Sequence, residues 1–342
     1  MIKTLCTALL LLLAGCSQPK PQLNVFVWSE YLDPAVIAEF EKQFNCRVVL
    51  DYYEDPESMM AKLVAGGDSL YDVVFPSNSN LPALANRGVL APLRRDRIPN
   101  LANIDPGFTN APFDPGNRFG APYQWGTTGI YARAGKDKGL DESWALVFDS
   151  AANSRKFLLI DDPRSCVGAA LKYRGHSLNT ADPRQLAEAM EILARAKERC
   201  LGFEGSVGAR NRVLSRSADL AIAYSVDAVR GIEEDPGTRF FIPKEGGEIW
   251  LDCLSIPARA PHPDLAEKFI NFMLEPRIAA RTAEYNRAAT PNAAARGLLD
   301  RSMLENPAIY PPADVMRRLE YANDLGTDNR LYEELWTKLK AR

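Results

Sequence analysis

The sequence contains only two histidines, His176 and His262, and neither stands in a recognisable catalytic motif. No G-x-S-x-G, P-loop or H-E-x-x-H run occurs, so the hydrolase, nucleotide-binding and zinc-protease readings lack their signatures. No two cysteines form a C-x-x-C pair, which argues against a zinc cluster. No basic stripe appears, so nucleic acid is not an expected partner. No apolar run reaches the length of about 20 residues that a spanning helix needs. Neither an enzyme, nor a cofactor, nor a metal is expected.

What is present is an ordinary globular composition. The chain has 342 residues, 46% hydrophobic and 25% charged, enough for two lobes of usual domain size. The N-terminus carries its own pattern. Lys3 precedes a short apolar stretch, and Leu-Ala-Gly-Cys at 13–16 closes it. That order predicts a signal peptide over 1–15. The last four residues resemble a bacterial lipobox, so Cys16 is the expected lipidation site and residues 16–22 a lipid-anchored tether. The protein is expected on the extracytoplasmic face of a membrane, held by lipid alone. Cleavage removes Lys3 and takes the formal charge from −3 to −4. Of the remaining cysteines, Cys46, Cys166, Cys200 and Cys253 allow three complete pairings, and Cys166 with Cys200 is favoured.

From Gln22 the pattern alternates strand and helix. Leu23–Trp28 predicts a strand, Asp33-Pro34 a helix start, 47–53 a strand, and Asp55-Pro56 another helix start. Tyr71–Phe75 is a third, buried strand. This order predicts an α/β fold with a mostly parallel sheet and helices on both faces. Residues 99–122 show little periodicity. Tyr123–Arg133 reads as a crossing to a second lobe that repeats the theme: strands at 157–160, 219–224 and 239–242, and helices after Pro163 and Asp182. Ile249–Ile256 reads as the return crossing, and 262–342 as mainly helical. The expected division is 23–125 plus 252–295 for one lobe and 126–251 plus 296–342 for the other.

Ligands in open α/β sheets bind beyond the carboxyl ends of strands. Those ends carry Trp28, Ser29 and Tyr31, then Ser77, then Asp161 and Asp162, then Tyr224, Ser225 and Asp227, and finally Trp250 and Asp252. Aromatic faces attract ammonium groups by about 0.5–2 kcal/mol each, and carboxylates give charge-assisted hydrogen bonds. Together they suit an elongated organic cation. Plainer roles stay open: core packing for the aromatics, helix capping for Asp161 or Asp162, and a cap or surface pair for Asp227. Asp252 lies in an apolar run and needs a partner, because an unpaired buried carboxylate is costly.

The chain resembles the substrate-binding lipoproteins and periplasmic proteins of bacterial polyamine ABC transporters, the spermidine/putrescine-binding family. The resemblance runs over nearly all of 22–342. It rests on Val27-Trp28-Ser29-Glu30-Tyr31, on 71–77 (YDVVFPS), on 122–128 (PYQWGTT), on 243–247 (PKEGG), on Trp250-Leu251-Asp252, on 289–292 (ATPN) and on 310–314 (YPPAD). It implies a two-lobed periplasmic-binding-protein-like (type II) fold with a hinged interlobe cleft, and a monomer. It also implies that Trp28, Tyr31 and Trp250 stack on methylenes, with Tyr224 where the family usually has tryptophan. Asp252 would hold an ammonium, Asp162 matches an acid of spermidine binders, and Asp227 one of putrescine binders. Ser29 and Ser77 would add hydroxyl or backbone contacts. Three positions depart from the family: Ser165 replaces a glutamate, Ser79 a tyrosine and Ala322 a glutamine. With one acid fewer, a putrescine-like diamine is expected to bind better than spermidine.

The implied function is capture of a polyamine and delivery to ABC permease subunits; presentation of the occupied protein to a membrane sensor is the alternative. Tyr52-Tyr53 is similar to the adjacent tyrosines of ferric-binding proteins, but strand alternation sends the two rings to opposite faces.

Overall fold

The computed structural model describes residues 20–53, 55–134, 141–151 and 155–341. The expected signal peptide and Cys16 lie outside the described residues.

Five Asp-Pro steps open helices by one mechanism. Asp33, Asp55, Asp105, Asp162 and Asp182 each accept a hydrogen bond from a backbone amide two or three residues on, at 2.7–2.8 Å. Each following proline sits at a first-turn position, where a missing N–H costs nothing. The helices are Pro34–Phe44, Pro56–Val64, Pro106–Thr109, Pro163–Tyr173 and Pro183–Lys197.

The strands are β1 (Gln22–Trp28), β2 (Arg47–Tyr53), β3 (Val73–Val74), β4 (Leu90–Ala91), β5 (Gly120–Arg133), β6 (Phe157–Ile160), β7 (Phe203–Glu204), β8 (Leu220–Tyr224), β9 (Thr238–Phe241), β10 (Gly247–Pro257) and β11 (Leu319–Tyr321). They pair in the order β2-β1-β3-β10-β5-β8-β6-β7, with β4 and β11 also on β10 and β9 also on β5. β1 is parallel to β2 and β3, and β6 to β7 and β8. The centre differs from the expected parallel sheet. β5 and β10 run antiparallel to each other and to β8 and β3. They cross between the two halves in opposite directions, whereas a parallel pair needs a crossover connection back to the same end.

Strand alternation divides each half into two cores. Val25, Val27, Val73 and Phe75 face one cluster with Phe40 and Phe269. Phe26 and Val74 face another with Leu251 and Ala280, and Leu299, Met303, Ala308 and Ile309 join it there. In the second half Ile130, Leu159 and Ile222 pack with Leu193 and with Tyr332 of the last helix, Asn329–Ala341. Tyr131, Leu158 and Ala221 face the opposite side. Helices therefore cover both faces of the sheet. Among the described residues no helix is long and apolar enough to cross a membrane.

The C-terminal region is mainly helical as expected, with the short β11 among its helices pairing with the start of β10. Two local expectations are corrected. The third strand is confined to Val73–Val74. All four described cysteines are free, so the Cys166–Cys200 pair is not formed. Cys166 is fully buried in the helix Pro163–Tyr173, and burial pushes its thiol pKa up. Tyr53 is buried with its hydroxyl on Phe75 O at 2.7 Å, while Tyr52 is 53% exposed.

Candidate functional site

One cavity of about 800 Å³ opens where β1, β6, β8 and β10 end or cross. The nine residues that the resemblance assigns to the ligand all line it: Trp28, Ser29, Tyr31, Ser77, Asp162, Tyr224, Asp227, Trp250 and Asp252; of the other strand-end residues, Asp161 lines it and Ser225 does not. The structure thus brings together residues from chain segments more than 200 positions apart.

Local geometry explains each placement. Asp252 is 6% exposed, and its partner is the hydroxyl of Tyr31, which donates to Oδ2. Burial pushes the Asp252 carboxyl up to about 7, and the Tyr31 hydrogen bond pulls against that rise. Asn78 pins the segment carrying Ser77 against β10. Its side chain accepts from Leu251 N at 2.9 Å, and its own amide donates to Leu251 O at 2.8 Å. Ser77 Oγ then sits 2.9 Å from Ser79 Oγ. Trp28, at the end of β1, packs on Tyr53 with ring centroids 4.6 Å apart. Tyr224 and Trp250 meet edge to face at 6.0 Å and form an aromatic wall.

Asp162 is both a cap and a cleft residue: its Oδ1 accepts from Ser165 N at 2.7 Å while its side chain lines the cavity. Asp227, in the first turn of the helix Ser225–Glu234, is 6% exposed. Burial pushes both carboxyls above the usual range. The lining carries nine carboxylates (Glu30, Asp55, Asp161, Asp162, Glu204, Asp227, Glu248, Asp252, Glu333) against four guanidiniums (Arg87, Arg164, Arg230, Arg330). That balance focuses negative potential in a low-dielectric cleft and favours a cationic occupant. Among the described residues no cluster suited to a metal ion occurs.

Comparison with known proteins decides the family. The model of the bacterial extracellular solute-binding protein family matches residues 35–308. The chain belongs to that family. Among its relatives, the spermidine/putrescine-binding periplasmic protein of Salmonella typhimurium is 33% identical over 93% of this chain and 91% of its own. The putrescine/cadaverine-binding protein of Pseudomonas aeruginosa is 34% identical over 100% of both chains. The crystal structure of the spermidine/putrescine ABC transporter substrate-binding protein of Streptococcus pneumoniae superposes with a TM-score of 0.83 at 29% identity, covering 94% of this chain and 99% of that one. The fold is the two-lobed fold of periplasmic solute-binding proteins.

Among the residues of this solute-binding protein's cleft that escaped the sequence reading are Gln124 and Glu248. Gln124, 2% exposed, accepts from Asn286 Nδ2 at 2.6 Å, yet its own Nε2 has no partner. Glu248 lines the cavity between the halves, and its Oε2 accepts from Thr128 Oγ1 at 2.9 Å and Ser165 Oγ at 2.5 Å. Burial and neighbouring Asp162 push the Glu248 carboxyl up. Glu248 was missed because the Gly246-Gly247 step reads as a turn, which started the strand at Ile249. Pairing of β11 with Gly247, Glu248 and Ile249 begins β10 earlier. Of the departures, Ser79 lines the cavity, while Ala322 is buried away from it and accepts Asn78 Nδ2 through its carbonyl at 2.7 Å.

Proposed function

We propose that this protein is an extracytoplasmic lipoprotein, anchored through Cys16, that captures a polyamine or related organic cation in the cleft and delivers it to an ABC permease. The observation that carries the reading is the pairing on β10 of Trp250 with Asp252, the latter oriented by the Tyr31 hydroxyl. A carboxylate held in a fixed position beside an indole face offers an ammonium both a charge-assisted hydrogen bond and a cation–π surface. Trp28 and Tyr224 extend the apolar wall for the methylene stem, and Ser29, Ser77, Asp162 and Asp227 supply further polar contacts. The names borne by the relatives, spermidine/putrescine and putrescine/cadaverine binders, support the same ligand class.

An ion pair between two lining residues, Arg230 and Glu30, joins the walls of the cleft at 3.4 Å, and Arg287 pairs with Glu233 at 2.6 Å outside the lining. Hinge closure of this kind commits a bound ligand and creates the surface a permease, or a membrane sensor in its place, would recognise. The protein acts as a monomer in this reading, without cofactor. Calorimetry against diamines, triamines, guanidino compounds, amino acids and dicarboxylates tests it. Binding of a polyamine and not of dicarboxylates is expected. Binding of an anionic solute with no amine bound would overturn the reading.

A further inference from the structure

Glu248, Trp250 and Asp252 stand at alternate positions of β10, so the strand period sends all three to one face, and all three line the cavity. At the Glu248 end two carboxylates meet around one small residue. Ser165 gives its hydroxyl to Glu248 at 2.5 Å and its amide to Asp162 at 2.7 Å. Among the described residues no lysine or arginine forms an ion pair with either acid. The nearby Arg164 is engaged elsewhere: it donates to Asn323 O at 3.0 Å and Asn179 Oδ1 at 2.9 Å, and stacks on the Tyr332 ring at 4.5 Å. The field of Arg164 reaches both acids but does not offset their burial, and two desolvated carboxylates without a directly paired cation are costly to hold. At the opposite end the cavity is also lined by Asn286, whose buried Oδ1 is an acceptor without a partner. Both ends of the cleft thus present acceptors that the N–H groups of a cationic occupant would satisfy.

We infer that Glu248, together with Asp162 and Ser165, forms a second ammonium subsite opposite Asp252, and that Glu248 makes the cleft selective for a polyamine long enough to span both. The inference rests on the polyamine reading above. The resemblance drawn from the sequence implies a glutamate where Ser165 stands. Here the carboxylate comes instead from the facing strand, and Ser165, 3% exposed, is small enough to leave it room. The acid missing at 165 is therefore present in space, so its absence no longer argues for a shorter dication. Length then decides. Residues 248 and 252 lie about 13 Å apart along a strand. From ordinary bond lengths, an extended spermidine measures roughly 11 Å between terminal nitrogens and putrescine roughly 6 Å. Only the triamine reaches both carboxylate groups with Trp250 beneath its middle.

The test is calorimetry with spermidine and putrescine on the wild type, Glu248→Gln, Ser165→Glu and the double variant, with thermal melting to check the fold. Spermidine should bind the wild type more tightly than putrescine. Glu248→Gln should weaken spermidine at least about tenfold and putrescine much less, the size expected for one charged hydrogen bond. Ser165→Glu alone should not tighten spermidine, because a third carboxylate crowds the same pocket, whereas in the Glu248→Gln background it should restore spermidine binding. Equal spermidine affinity in wild type and a folded Glu248→Gln variant, or a wild type that prefers putrescine, overturns this inference and leaves the polyamine reading standing. A wild type that binds no polyamine overturns both.

Discussion

Gly126 of β5 stands directly opposite Trp250 of β10, and the indole lies where a Cβ at 126 would be. The glycine is needed here for close approach rather than for an unusual backbone angle. It leaves room for the ring to pack over residue 126 while lining the cavity. Gly126→Ala should force the Trp250 ring aside, because the added carbon also meets Ser225 Oγ. Lost stacking should weaken amine binding by about 0.5–2 kcal/mol, and overpacking should lower stability by about 1–3 kcal/mol. Calorimetry, melting and the tryptophan emission maximum check it. An unshifted emission with unchanged affinity would show that the ring does not depend on this glycine.

Asp252→Asn should cost at least about 1.5 kcal/mol of binding, the low end for a hydrogen bond to a charged group. Tyr31→Phe acts more subtly. The Tyr31 hydroxyl lowers the Asp252 pKa, so its removal should raise it and move the pH midpoint of binding upward. Affinity in the variant should recover as the pH is raised. A parallel loss at every pH would mean that Tyr31 contributes packing only.

The raised carboxyls also set the pH response of the empty protein. The folded Asp252 pKa of about 7 stands well above its unfolded value, so between those values the folded state holds a proton that the unfolded state has released. Stability from this group is full below the unfolded pKa and is lost as the pH rises toward about 7. Asp162, Asp227 and Glu248 act in the same direction. Ligand affinity runs the opposite way, since a cation binds the ionised form. The empty protein should melt higher at pH 5 than its other groups dictate, and thermal stabilisation by ligand should grow toward pH 8. Asp252→Asn should flatten both slopes; identical slopes in variant and wild type would remove Asp252 from the account.

Cys16→Ser should abolish membrane partitioning and leave an unprocessed or soluble form. Mass spectrometry of the mature wild type should find a diacyl or triacyl modification on an N-terminal cysteine. A mature chain that begins elsewhere without lipid would refute the anchor.

Much of this protein follows from local rules that a sequence carries by itself. The four expected helix starts, before Pro34, Pro56, Pro163 and Pro183, depend on an aspartate side chain reaching two or three residues onward, and all four form. Trp250 and Asp252 share a face because strand period alone requires it. The buried and exposed members of Tyr52-Tyr53 were legible for the same reason, whereas the set of ligand-facing residues came from the family resemblance.

Tertiary structure decided what depends on distant partners. Tyr31 meets Asp252 across 221 positions, and Ser165 meets Glu248 across 83. No local pattern specifies either contact. The outward and return crossings were read from the sequence, but the antiparallel pairing of β5 with β10 at the centre of the sheet was not, because strand and helix order does not encode which strands are neighbours. Glu248 entered the cleft because a three-residue strand at 319–321 extended β10 past its glycines. The residue lost at 165 and the residue found at 248 belong to one pocket, since a carboxylate's field depends on where the charge sits and not on which segment carries it.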